Sequence, residues 1–134
     1  MHVHLRVGAE RYALAVEQVH SVLDADGVTP VLGAPPSLLG VRVHEGQLLP
    51  VFRLATVLGV AEGEPARRIV VAAHAGRSAG FAVDDVLDVS ELPPAREAPP
   101  ASDRLHATVL DDGALVGVVD LPAVLGALEA ELAA

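Results

Sequence analysis

Sliding the chain against itself by 67 residues lays Gly46-QLLPVFRLATVL-Gly59 on Gly113-ALVGVVDLPAVL-Gly126, with seven of fourteen positions identical. A composition this rich in Ala, Val and Leu would give about one or two matches by chance, so shared low complexity does not account for the likeness. The same offset sets Ala15, Val16, Val19 and Val22 on Ala82, Val83, Val86 and Val89, Glu17 on Asp84, and Leu38 on Leu105. Two separated segments obeying one offset predict two related lobes, about 1–67 and 68–134, within a single domain. Half-chains of this size are marginal alone, because small domains bury too little surface. The lobes are therefore expected to pack on each other, with strand exchange between them allowed and an apolar groove at the seam.

Local patterns predict mostly strands. Turn signals at His44-Glu45-Gly46-Gln47, Ala75-Gly76-Arg77-Ser78 and Asp111-Asp112-Gly113 are each flanked by Val- and Leu-rich runs of strand length. Val3, Leu5 and Val7 alternate with His2, His4 and Arg6, the pattern of a half-exposed strand, and the chain is expected to return as Tyr12 to Val16. Tyr12, Phe52 and Phe81 are the only aromatic residues, so a core here must come from Val, Leu, Ala and the single Ile69. Helical spacing predicts a turn over Glu17 to Leu23 and helices at Leu54 to Leu58 and Leu121 to Leu132, the last with Pro122 in its first turn. The proline-rich stretches Thr29 to Pro36 and Leu92 to Pro100 read as extended connectors. The fold class is mainly β: two five-stranded barrel lobes with short helices and a C-terminal helix.

The chemistry the chain lacks is informative. It has no Cys and no Lys, its nine cations are all Arg, and its net charge is −9. Disulfide and thiolate chemistry and a phosphate-binding lysine loop are excluded, and a nucleic-acid partner is disfavoured. The opening MHVHLRV carries no export signal, and no apolar run approaches the roughly 20 residues of a membrane helix, so a cytoplasmic location without direct membrane contact is expected. Six histidines, at 2, 4, 20, 44, 74 and 106, are scattered. A metal site would use His2 and His4, which share a strand face, with one other histidine, but a polar strand start explains that pair as well. Asp84-Asp85 and Asp111-Asp112 point apart on a strand, and no serine sits in a nucleophile elbow. No catalytic residue, metal ligand or cofactor is assigned, so the residues describe a binding scaffold; a small metal-dependent enzyme is the remote alternative.

Several blocks are more specific. They are the Tyr12-x-L-x-V-x-x-V run, the TPV-x-x-APP-x-x-LG-V block ending at Val41, the hairpin G-x-x-x-PV-x-x-L from Gly46 to Leu54, and G-x-x-VD-x-V-x-DV from Gly80 to Val89. In this order, over residues 3 to 126, the chain resembles the CheW-like domain of chemotaxis coupling proteins. The resemblance implies two SH3-like barrels around a shared seam and a non-catalytic adaptor. Its partners would be the cytoplasmic tip of a methyl-accepting chemoreceptor and the regulatory domain of a CheA-type histidine kinase, without a fused kinase or receiver domain. By motif, the receptor-binding groove maps to Val19, His20, Val22, Leu23, Val86 and Leu87. Core packing accounts for the valines equally well, whereas His20 is expected to be exposed because Val19 and Val22 take the inner face. The kinase contact maps to Gly40, Val41, Val43 and Glu45. At the central hairpin the chain departs from the family, which commonly carries Asn-Leu-Arg-Gly before the turn and Asp before the Leu. Here Val43-His44-Glu45-Gly46 and Arg53-Leu54 stand in those places, reversing two charges. A divergent adaptor that binds receptors or another partner without coupling a kinase is therefore the second reading.

Overall fold

The computed structural model describes residues 1–94 and 102–133. Its elements run β1 (His2–Val7), β2 (Glu10–Ala15), a single 3-10 turn (Val16–Gln18), β3 (Val19–Asp24), β4 (Leu38–His44) and β5 (Gln47–Arg53). After α1 (Leu54–Leu58) come β6 (Arg68–His74), β7 (Arg77–Val83), β8 (Asp85–Ser90), β9 (Leu105–Asp111), β10 (Ala114–Val119) and α2 (Leu121–Ala133). Adding 67 to each strand of β1 to β5 lands on β6 to β10 within one residue, and α1 lands on the start of α2. The predicted duplication is thus a duplication of secondary structure.

The β4–β5, β6–β7 and β9–β10 hairpins each close on two residues at positive φ, Glu45-Gly46, Ala75-Gly76 and Asp112-Gly113, the signature of a type I′ turn whose twist suits the flanking strands. The second turn is centred one residue earlier than its sequence suggested, and it places Ala75 at φ 51.

The strands form two five-stranded sheets, in the orders β8-β1-β2-β10-β9 and β3-β6-β7-β5-β4. Substituting each strand by its repeat counterpart converts one order into the other. Each sheet therefore takes its first hairpin from one repeat and its other three strands from the second. Each sheet has one parallel and one antiparallel junction between repeats: β2 runs parallel to β10 with Tyr12 opposite Gly117, and β5 to β7 with Val51 opposite Gly80, while β1–β8 and β3–β6 are antiparallel. An interior cluster of Leu49, Val51, Ile69, Val71 and Ala82 fills the second sheet. A larger core joins the sheets, combining Val3, Leu5, Val7 and Leu14 with Phe52, Val70, Phe81 and Val83. Both helices feed it; in α2, Leu121, Val124, Leu125 and Leu128 supply one apolar stripe at helical spacing.

Two local expectations are overturned. Glu17 to Leu23 is not helical beyond its first residues: Val16–Gln18 make one 3-10 turn and the rest is β3. The Val16, Val19, Val22, Leu23 spacing fits a helix, but these residues, three of them β-branched, gain more by pairing with β6, where Val22 faces Val70 and Leu23 faces Ile69. Burial along β3 alternates with period two, so Val22 shares the outer face of His20 instead of the inner face of Val19. Strand β1 is not half-exposed either. His4 is fully buried because β8 pairs on its far side, with His4 opposite Asp88. Of the proline-rich connectors, Thr29 bridges Val41, and most of Leu92 to Pro100 lies outside the described residues.

Helix capping separates the two copies. Asp120 precedes α2 and its Oδ1 accepts the Ala123 N–H at 3.1 Å, whereas Arg53, the equivalent position, leaves α1 without a side-chain cap. Gly126 lies inside α2, is exposed, and a Cβ there would meet nothing within 4 Å. Gly126→Ala is therefore expected to raise stability by about 1 kcal/mol, the helix-propensity difference between these residues, read as a higher urea midpoint with an unchanged slope.

Candidate interaction surfaces

Strands β3 and β8 occupy equivalent edges of the two sheets. Val19 and Val86, one repeat apart, are half-buried and pack on the shared core. Leu23 is turned into the second sheet's interior cluster. Val22 (43% exposed), His20 and Leu87 (46%) face outward, and Val89, the repeat counterpart of Val22, does the same at 49%. The six residues expected to line a receptor groove thus divide between a rim of packing residues and an outer face.

The hairpin residues divide in the same way. Gly40 is buried against the Thr29 backbone and Val41 is half-buried beside the same residue, while Val43 (67% exposed) and Glu45 stand free of the core. Val43 pairs with Leu48 (71% exposed) across the β4–β5 hairpin. The β9–β10 hairpin repeats this pair: Leu110 (50%) lies opposite Leu115 (63%). Leu48, Leu110 and Leu115 were not singled out from sequence. The 67-residue offset contained the signal, since it carries Val43 to Leu110 and Leu48 to Leu115.

The reversed charges find partners inside the chain. His20 Nε2 lies 3.2 Å from Glu45 Oε1, and His44 Nε2 lies 3.9 Å from the same oxygen. Arg53 donates to the carbonyls of Pro36 (2.9 Å) and Leu38 (3.3 Å) and lies 3.6 Å from Glu62. Arg53 and Glu62 line a cleft of about 360 Å³ with Val7, Leu39 and Asp84. Asp84 is buried, accepts the Gly8 N–H on Oδ1 at 2.9 Å, and leaves Oδ2 without a partner.

The histidine pair on β1 cannot act as a metal site. Arg11 donates to His4 Nδ1 at 3.2 Å; His4 must then carry its proton on Nε2, which lies 3.0 Å from Ser90 Oγ. Both ring nitrogens are occupied in a fully buried position. Burial is the main reason the neighbouring His2 imidazole titrates below its ordinary value, with the N-terminal ammonium adding to the effect.

Compared with protein families, residues 2–129 match the model of the CheW-like domain. The chain belongs to the CheW-like domain family. Protein FrzA of Myxococcus xanthus is 35% identical over 97 residues, covering 71% of this chain and 61% of FrzA. Chemotaxis protein CheW of Rhizobium meliloti is 29% identical over 140 residues, covering 98% of this chain and 90% of that protein. Among solved structures, the scaffolding protein TtCheW of Thermoanaerobacter tengcongensis superposes with a TM-score of 0.74 at 23% identity, covering 90% of this chain and 83% of that one. The chain thus shares its domain with chemotaxis protein CheW, in a family of non-catalytic proteins. Among its described residues no helix is long and apolar enough to cross a membrane.

Proposed function

We propose that this CheW-like domain is a cytoplasmic adaptor holding a chemoreceptor's cytoplasmic tip and the regulatory domain of a CheA-type histidine kinase in one complex. The supporting observation is the pair of exposed apolar hairpin faces, Val43 with Leu48 and Leu110 with Leu115, repeated by the duplication. Apolar pairs kept in water at equivalent places mark surfaces that a partner covers. The first face carries Val43 and Glu45 and is assigned to the kinase domain, itself a similar module. The outer residues Val22, His20 and Leu87, with Val19, Leu23 and Val86 supporting them, are assigned to receptor helices, whose apolar stripes suit such a rim.

Pull-down of the full chain with a receptor fragment and the kinase regulatory domain tests the reading. The double variant Val43→Asp with Leu48→Asp is expected to weaken kinase-domain binding at least tenfold, about 1.4 kcal/mol, while receptor binding is kept. Leu87→Asp is expected to do the reverse. Binding to neither partner at low and moderate salt overturns the proposal.

One observation favours the second reading, an adaptor without kinase coupling. Glu45 and Arg53 are matched within the chain, by His20 and His44 and by Glu62, so nothing obliges the kinase to supply complementary charge. Tight kinase-domain binding by the unmodified chain refutes this reading; binding gained only in Glu45→Arg supports it.

A further inference from the structure

We propose that His20, His44 and Glu45 form a binding site for one divalent transition-metal ion of the zinc class. The potential ligand atoms of the three side chains all lie within 4.8 Å of one another. Glu45 Oε1 is 3.2 Å from His20 Nε2 and 3.9 Å from His44 Nε2. A tetrahedral zinc ion with bonds of about 2.0–2.1 Å sets its ligand atoms about 3.3–3.4 Å apart, so one edge of the ligand triangle is close to that length and a second must shorten by about half an ångström. Two imidazoles and one carboxylate suit such an ion and leave a fourth position for water. The two rings meet nearly edge to face, with centroids 5.9 Å apart and planes at 80°, so both approach the carboxylate without stacking on each other.

Local structure aims these residues. The β3–β6 register breaks between Val19 and Ser21, which makes His20 the extra residue of a bulge, a device that redirects one side chain. His44 ends β4, and Glu45 at φ 50 opens the turn that follows. The imidazole of His44 is sheltered, at 18% exposure, while His20 (52%) and Glu45 (66%) leave the site open to an entering ion. Among the described residues the ion-pair partners of Glu45 are these two histidines alone, with no arginine taking the carboxylate.

The position gives the ion a structural task. Strands β3 and β4 are the two outer strands of their sheet. The chain leaving β3 is tied to β4 by the Thr29–Val41 bridge and by Arg42, which donates to the Asp24 and Asp26 carbonyls at 2.6 and 2.8 Å. A metal on His20 and His44 adds a tie three residues further along β4 and closes the seam at its hairpin end. The duplication supplies an internal control, because the equivalent positions are Leu87, Asp111 and Asp112, which contain no histidine. The site is a feature of this chain's first repeat alone.

The test is calorimetric titration of the untagged, metal-stripped chain with Zn²⁺, and with Co²⁺ followed by its visible absorption. The expected result is saturation at one ion per chain with the absorption of tetrahedral cobalt. At free zinc 100-fold above the dissociation constant, the folded-to-unfolded ratio should rise about a hundredfold. His20→Ala and Glu45→Gln, both at exposed positions where circular dichroism should report an intact fold, are each expected to weaken binding at least tenfold. His74→Ala should leave it unchanged. Absence of saturable one-to-one binding, or binding that survives His20→Ala and Glu45→Gln undiminished, overturns the proposal.

Discussion

Truncating Phe81 to alanine is expected to lower the unfolding free energy by about 4 kcal/mol, within the range for deleting a buried aromatic ring. Phe81 is 1% exposed, and its ring centroid lies 6.3 Å from that of Phe52. Leu14 and Val119 from the first sheet, Leu54 from α1, and Leu121 and Val124 from α2 surround the same spot. The hole left by truncation would open where both sheets and both helices meet, so no single element can relax to fill it. With one Tyr and two Phe in the chain, truncation leaves Phe52 as its single phenyl ring. Since domains of this size are stable by roughly 5–15 kcal/mol, such a loss removes a large share of the total. Urea denaturation followed by circular dichroism measures it, with Phe81→Leu expected to lose clearly less. A loss below about 1 kcal/mol for Phe81→Ala would contradict a core shared by the two sheets.

Gly40→Ala should be nearly as damaging, at about 3 kcal/mol, for a different physical reason. An added Cβ would lie 2.3 Å from the Thr29 carbonyl oxygen, 2.7 Å from its carbon and 2.8 Å from Val28 Cγ1. Backbone cannot swing aside as a flexible side chain can. The methyl would therefore push Thr29 away and break the reciprocal hydrogen bonds between Thr29 and Val41, at 2.8 and 2.9 Å. The urea midpoint should fall while the slope stays constant. Because Gly40 lies at the base of the hairpin carrying Val43 and Glu45, displacing Thr29 should also disturb the kinase contact proposed above. Val43→Asp, in contrast, should lose binding at unchanged stability, which separates support of the surface from the surface itself.

Much of the fold was legible in residues alone, and the limits are specific. The turns at Glu45-Gly46 and Asp112-Gly113 were readable because type I′ geometry demands particular residue types. The helices starting at Leu54 and Leu121 were readable because their apolar spacing is helical and buried on one side. Strand β3 was misread because Val16, Val19, Val22 and Leu23 satisfy a helical template while their burial is set by β6, which arrives more than forty residues later. The burial of His4 was missed because it depends on β8 and on Ser90, 86 residues away. The meeting of His20, His44 and Glu45 was equally hidden: their separation in sequence is closed by a bulge and by the curl of one sheet.

The duplication that opened the sequence fixes what the elements are, how many there are and in what order they come. It does not fix which copies pair. The β1–β2 hairpin has the same local chemistry whether it joins the three strands of its own repeat or those of the other, since the two sets are alike. The tertiary structure decides this by placing β1 beside β8 and β2 beside β10. The physical reason is that strand pairing is satisfied equally by either copy. Exchange, however, threads both repeats through each sheet and draws Phe52, Phe81 and α2 into one core.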